Sequence, residues 1–218
     1  MMRLVFLGPP GSGKGTQAGM VSREFGIPQI STGDILREAI EQNTDLGKRA
    51  REYVESGKLV PDEIVLSLVE ERTGKKDCAG GFILDGFPRT LVQAEGLEKI
   101  LADHGAALDA VVFIDVRDEV IISRLSRRRV CPACGAPYNL DSDPPRKEGV
   151  CDKCGGRLEA RVDDAPETVK TRLEIYRRDT LPLVEHYESE DLLKRVSGEG
   201  TVDGVFSSIL SELEAVKR

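Results

Sequence analysis

Leu4-Val5-Phe6-Leu7-Gly8-Pro9-Pro10-Gly11-Ser12-Gly13-Lys14-Gly15-Thr16 is the stretch from which the rest of the chain can be read. It opens on a short apolar run of strand character. Beyond Gly15, Ala18, Val21 and Phe25 recur at i, i+3 and i+7, and the pattern stops at Gly26 before Pro28, which describes a helix. A glycine-rich turn between a strand and a helix lets successive backbone N–H groups converge on an anion, and the helix N-terminus adds partial positive charge. Lys14 stands where it can reach the outer phosphates of a nucleoside triphosphate, so Gly11, Ser12, Gly13, Lys14, Gly15 and Thr16 form the candidate phosphate cradle. The run departs from the strict P-loop pattern at one place. Gly15 follows the lysine where Ser or Thr is expected, and the hydroxyl comes one residue later at Thr16.

Outward from this loop, further short apolar runs at 29–30, 82–84, 111–114 and 193–196 join the first at 4–7 as five candidate strands. Helical patterns separate them, starting at Ser31 or Thr32, Pro61, Thr90, Asp118 and near Pro166. The last should bend before Pro182, because proline removes an i to i−4 bond. Such alternation predicts an α/β fold with a central parallel sheet covered on both faces. Two stretches break it. Residues 31–60 read as helices with no strand between them, and residues 127–164 turn to Cys, Pro, Gly and Asp. The expected organisation is a core of residues 1–30, 61–126 and 165–218 carrying two insertions, 31–60 and 127–164.

With 218 residues and a formal net charge of −7, the chain suits one ordinary core with appendages. Its apolar runs are too short to span a bilayer, and the first residues lead into glycines rather than a cleavage site, so a cytoplasmic protein without membrane partners is expected. Net acidity, 5 % aromatic residues and no Trp argue against nucleic-acid binding through bulk charge or base stacking. Cys131-Pro132-Ala133-Cys134 and Cys151-Asp152-Lys153-Cys154 are separated by 16 residues, close to the spacing of a zinc ribbon. Four thiolates would close a tetrahedron and leave no open position for chemistry, so Cys131, Cys134, Cys151 and Cys154 are candidate ligands of a structural Zn²⁺. An iron site shares that geometry and two disulfides are a third arrangement; a reducing cytosol disfavours the disulfides. Cys78 reads as an ordinary free cysteine. Arginines bracket the cysteine stretch, which keeps a zinc-ribbon nucleic-acid binder as a rival reading.

Four motifs in register carry a resemblance. The phosphate loop, Ser31-Thr32-Gly33-Asp34 with Arg37, Gly57-Lys58-Leu59-Val60-Pro61, and Leu84-Asp85-Gly86-Phe87-Pro88-Arg89-Thr90 with Gln93 together resemble the adenylate kinases, a family of nucleoside monophosphate kinases. The resemblance runs along nearly the whole chain. It implies a three-layer P-loop fold with a helical AMP-binding insertion and a lid over ATP, a segment where many bacterial members carry a Cys cluster. The activity it implies is reversible, Mg²⁺-dependent transfer, ATP + AMP = 2 ADP, which maintains adenine nucleotide balance, and the implied state is a monomer. Thr32, Arg37, Lys58, Leu59, Val60, Gly86, Phe87, Pro88, Arg89 and Gln93 would then bind AMP, with Arg37 and Arg89 on its phosphate and Gln93 reading the adenine edge. Asp85 would hold Mg²⁺ through water. Arg124 and Arg128 would face ATP, Arg161 and Arg172 the AMP or the phosphoryl in flight, and Pro137, Tyr138 and Gly200 would contact the donor nucleotide. Lys14, Asp85, Arg89, Arg124, Arg128, Arg161 and Arg172 form the expected catalytic set. Asp163 and Asp164 would orient those arginines or bind lid to core. Another monophosphate acceptor, or GTP as donor, remains a rival within the same chemistry.

Overall fold

The computed structural model describes residues 2–216. In chain order its elements are β1 (Met2–Leu7), α1 (Lys14–Phe25), β2 (Gln29–Ser31), α2 (Thr32–Glu41), α3 (Asp45–Glu55), α4 (Asp62–Thr73), β3 (Gly81–Asp85), α5 (Leu91–Asp103), β4 (Ala110–Asp115) and α6 (Asp118–Ser126). After these come β5 (Arg128–Val130), β6 (Pro137–Asn139), α7 (Pro166–Ile175), α8 (Pro182–Ser189), β7 (Leu193–Ser197) and α9 (Val202–Val216). The five strands read from the sequence form one sheet in the order β2-β3-β1-β4-β7, and every neighbouring pair is parallel.

Parallel strands need crossovers, and here the crossovers are helices that cover both faces. Val5, Leu7, Leu84, Val111 and Phe113 pack on one side with Val65 and Val69 of α4, Leu97 of α5 and Leu183 and Tyr187 of α8. Leu4, Phe6, Ile83, Val112 and Ile114 point the other way, against Val21 of α1, Ile121 of α6, Leu173 of α7 and Ile209 of α9. Both residue sets of each strand are thus buried, which is why the strands read as unbroken apolar runs rather than alternating ones. From β1 the chain moves to β2 on one side of the sheet. β4 and β7 lie on the other, so the connections diverge between β1 and β4, and ligands of such sheets bind at that point.

The helical insertion packs α2 against α3. Ser31 caps α2 by accepting from Asp34 N, and Thr44 caps α3 by accepting from Gly47 N. A Cβ at Gly47 would stand 2.0 Å from the Ala39 carbonyl oxygen, so the two helices approach more closely there than any side chain allows. In the cysteine-bearing insertion, β5 and β6 pair antiparallel with Arg129 opposite Tyr138. Before Pro182 the helix widens rather than simply bending. Residues Tyr176–Thr180 are wound more loosely, and Leu181 N reaches back five residues to Tyr176 O at 2.8 Å. On the outer surface His186 Nε2 lies 3.1 Å from Glu98 Oε1 and ties α8 to α5.

Candidate active site

The expected catalytic residues gather at the carboxyl ends of β1 and β3, beneath the cysteine-bearing insertion. As β1 ends, Ser12 N donates to Pro9 O (3.1 Å) and Gln17 N to Gly13 O (3.0 Å), so the turn feeds directly into α1, whose first residue is Lys14. Lys14 Nζ donates to the carbonyl oxygens of Gly8 (2.6 Å) and Pro9 (2.8 Å), neither of them charged. Burial dominates and draws its pKa from 10.5 down to about 7; Asp85 opposes this, while Arg89, Arg172 and Arg128 add to it.

Asp85, the last residue of β3, is 8 % exposed and its Oδ2 accepts from Gln29 Nε2 at 3.1 Å. Burial pushes its carboxyl above the usual range although Lys14 pulls the other way. Lys14 and Asp85 are therefore each pressed toward neutrality, because desolvation outweighs their mutual attraction. One lacks an anion and the other a cation, and a polyphosphate with a hydrated Mg²⁺ supplies both, so the residues fit that ion. A Cβ on Gly15 would lie 3.2 Å from Asp85 Oδ2, closer than most Cβ contacts, and the hydroxyl-bearing Thr16 that follows is exposed.

Arg89 stands on the loop between β3 and α5. Its Nε donates to Gly86 O (2.7 Å), the same carbonyl that accepts from Thr32 Oγ1 (3.0 Å), and its own carbonyl accepts from Thr180 Oγ1 (2.8 Å). Among the described residues no carboxylate lies within ion-pairing distance of Arg89. Burial, with the nearby charges of Arg172 and Arg37, brings its pKa down to about 10. Phe87 and Pro88 are buried beside it, and Val60 is buried, Leu59 half-buried and Lys58 exposed at the end of the helical insertion. Gln93, on the first turn of α5, is buried. Its Oε1 accepts from Arg89 N and its Nε2 donates to Asp62 Oδ1, both at 2.7 Å.

The remaining arginines come together through carboxylates. Arg128 forms a fork with Asp164, Nε to Oδ2 at 2.7 Å and Nη2 to Oδ1 at 2.5 Å. Arg172 Nη1 reaches Asp163 Oδ2 (3.1 Å) and Asp164 Oδ1 (3.2 Å). Arg37 pairs with Asp34 at 2.5 Å and approaches Asp163 at 3.8 Å, while Arg161 approaches Asp34 at 3.7 Å. The last two contacts join the cysteine-bearing insertion and its flank to the helical insertion across the cleft. Burial works against the Asp163 charge, but Arg172, Arg37, Arg128 and Arg161 together hold its carboxyl below the ordinary range. Arg161 in turn falls to about 10 through burial and the neighbouring charges of Arg37 and Arg128. Arg124 ties α6 to the phosphate loop and to the turn after β7, with Nη2 on Gly198 O (2.8 Å), two residues before the exposed Gly200, and Nη1 on Ser12 O (3.3 Å).

Two of the expected site residues have partners within the protein. The Tyr138 ring packs with Cys131, Ala136, Cys151 and Leu158, and its hydroxyl accepts from Asp152 N at 2.8 Å, because the insertion has few other apolar groups with which to build a core. Pro137 beside it is exposed. Gln93 keeps both ends of its amide occupied by protein. Sequence reasoning also passed over Gln29, Asp62 and Thr180, whose partners lie far along the chain and leave no local pattern.

Cys131, Cys134, Cys151 and Cys154 converge, with all four Sγ atoms within 4.8 Å of one another. Cys131 and Cys154 are 3.4 Å apart, and Cys134 and Cys151 3.5 Å. A tetrahedral site with metal–sulfur bonds of about 2.3 Å has sulfur–sulfur edges of about 3.8 Å, whereas a disulfide needs about 2 Å. The cluster fits a closed, four-thiolate metal site.

A P-loop on a parallel sheet, with an unpaired arginine beside it and further arginines drawn in from two insertions, defines a P-loop phosphotransferase that acts between phosphate-bearing ligands. The chain belongs to the adenylate kinase family, whose match covers residues 6–192. It is 53 % identical to the adenylate kinase of Caldicellulosiruptor saccharolyticus over 97 % of this chain and 99 % of that one. Identity is 50 % with the adenylate kinase of Archaeoglobus fulgidus over 99 % of this chain and 100 % of that protein. With that of Carboxydothermus hydrogenoformans it is 52 %, over 98 % and 100 %.

Proposed function

We propose that this protein carries out ATP + AMP = 2 ADP, reversibly and with Mg²⁺, and so balances the adenine nucleotides. One observation carries the reading: Arg89 holds a guanidinium with a backbone partner and no carboxylate, in a site where Arg172 and Arg37 already disfavour its charge. A site that gathers cations against their mutual repulsion is organised for a polyanion. The acceptor is itself a phosphate, so the reaction needs alignment and charge stabilisation rather than a general base. Lys14 and the P-loop amides would hold the outer phosphates of ATP, and Arg37 and Arg89 the AMP phosphate. Arg128, Arg161 and Arg172 would neutralise charge on the phosphoryl in transit, and Arg124 would border the donor. Mg²⁺, held through water by Asp85, would draw charge from the donor phosphates.

The two insertions would act as an AMP-binding region, 31–60, and a lid, 127–164. The ion pairs Arg161–Asp34 and Arg37–Asp163 support a closure that excludes water, which would otherwise take the phosphoryl group. Zn²⁺ on the four cysteines would hold the lid together without entering the chemistry. Cysteines placed for a metal rather than for disulfides agree with a reducing, cytoplasmic setting, and a monomer suffices because one chain supplies every motif. A coupled assay across donor and acceptor nucleotides tests the reading. AMP with MgATP should be the best pair, and a better acceptor than AMP, or no ADP formed, would overturn it.

A further inference from the structure

Gln93 bridges two segments that frame the acceptor side of the cleft. Its Oε1 accepts from the backbone N–H of Arg89, and its Nε2 donates to Asp62 Oδ1, just beyond Val60 and Pro61. The same Asp62 oxygen accepts from Thr90 Oγ1 at 3.1 Å, and that hydroxyl accepts from Gln93 N at 3.1 Å, so Asp62 is held in place by the cap of α5. Gln93 is 2 % exposed. A backbone N–H can only donate and a carboxylate can only accept. Their positions therefore leave the amide one orientation. Turned end for end, it would set Nε2 against the Arg89 N–H and Oε1 against the carboxylate, losing two hydrogen bonds and gaining two repulsions.

We propose that Asp62 is a positioning residue for base specificity: it locks the Gln93 amide in the polarity that suits adenine and refuses 6-oxopurines. The proposal rests on the reading of this side of the cleft as the AMP site with Gln93 at the base. With its orientation held, the amide has one N–H and one lone pair left to offer, in fixed order. Adenine presents an acceptor at N1 and a donor at N6. Hypoxanthine presents a donor at N1 and an acceptor at O6, the same outline with the polarity reversed. An amide free to flip would serve either base, whereas a locked one leaves the wrong base with unpaired groups.

AMP and IMP, which differ at that edge alone, are the probes. Initial rates with MgATP as donor give kcat and KM for each acceptor in the wild type, Asp62→Leu, Asp62→Glu, Gln93→Leu and the Asp62→Leu/Gln93→Leu double variant. Asp62→Leu, which leaves no acceptor for the amide, should lower the AMP:IMP ratio of kcat/KM by about tenfold or more, through the acceptor KM and with the KM for ATP unchanged. Asp62→Glu, which keeps the carboxylate, should hold the ratio above that of Asp62→Leu. In the Gln93→Leu background, Asp62→Leu should move the ratio no further. A wild type that prefers AMP, paired with an Asp62→Leu ratio left intact, overturns the lock and leaves the adenylate kinase reading standing. So does an equal shift in the Gln93→Leu background. A wild type that does not phosphorylate AMP overturns both. If Asp62→Leu does not fold, NMR of the wild-type Gln93 side chain decides: one downfield, slowly exchanging Nε2 proton supports the lock, and two solvent-like protons overturn it.

Discussion

At the floor of the cleft, Lys14 and Arg89 stand above strands whose Leu4, Val5, Phe6, Ile83 and Leu84 are fully buried. Among the described residues the cysteine-bearing insertion has Cys131, Ala136, Tyr138, Cys151 and Leu158 for a core, and two of those five are candidate metal ligands. The sheet buries enough apolar surface to carry charges held in unfavourable surroundings. The cysteine-bearing insertion has no such reserve, and the metal proposed for its four sulfurs would supply the cohesion. Stability and chemistry should therefore separate differently in the two regions. In the first, removing a functional side chain relieves the fold; in the second, removing a ligand side chain undoes it.

The largest expected effect breaks function at the cleft floor and spares the fold. Lys14→Met and Arg89→Met should each reduce kcat/KM by about 10³-fold or more if, as proposed, both side chains act on phosphate charge. Calorimetry of the free Arg89→Met protein should give a Tm equal to or above that of the wild type, as an unpaired cation has been removed. A clear fall in Tm would mean that Arg89 is structural.

In the lid the order reverses. Cys131→Ser should abolish stoichiometric metal content and lower Tm by roughly 10 °C, while activity in the cold falls less than it does for Arg89→Met. Retention of metal and Tm, measured by elemental analysis and calorimetry, would remove Cys131 from the ligand set.

The helical insertion lies between these extremes. Gly47→Ala should destabilise the packing of α2 on α3 by about 2–3 kcal/mol, because its Cβ would meet the Ala39 carbonyl, and it should raise the KM for AMP more than that for ATP. Equal rises in both values would separate this helix pair from the acceptor site.

The smallest effect is a proton. With Lys14 at about 7 in the free protein and 10.5 unperturbed, a bound triphosphate that restores its charge should draw up to one proton from solution near pH 8 and almost none at pH 6. Calorimetric titration in buffers of different ionisation enthalpy measures this uptake, and Lys14→Met should abolish it. In the free protein the unfolded state binds the extra proton between pH 7 and 10.5. The Lys14 contribution to stability therefore improves as pH rises through that window.

Much of the fold was legible because its signals are local. Five apolar runs became five strands, and Ser31, Thr90 and Pro166 mark helix starts through capping and φ preference, which neighbouring residues decide. The widened turn before Pro182 was read only as a bend. Proline signals a missing donor, but packing around the helix decides how the backbone accommodates it. The burial of Tyr138 is likewise not a local matter, since it depends on Leu158 and the cysteines folding back over it.

The sequence by itself determined the phosphate loop, the four thiols and the motif arginines, because each requires particular residue types at short, fixed spacing. Tertiary structure alone decided the strand order and the partners of those groups: Asp85 with Gln29, Gln93 with Asp62, Arg161 with Asp34 and Arg37 with Asp163. Those pairs lie far apart along the chain, and each is set by many weak packing contacts that no single stretch encodes. The physical consequence is that covalent neighbours supply the chemistry, while burial of the sheet's two faces brings the distant charges within reach of one another.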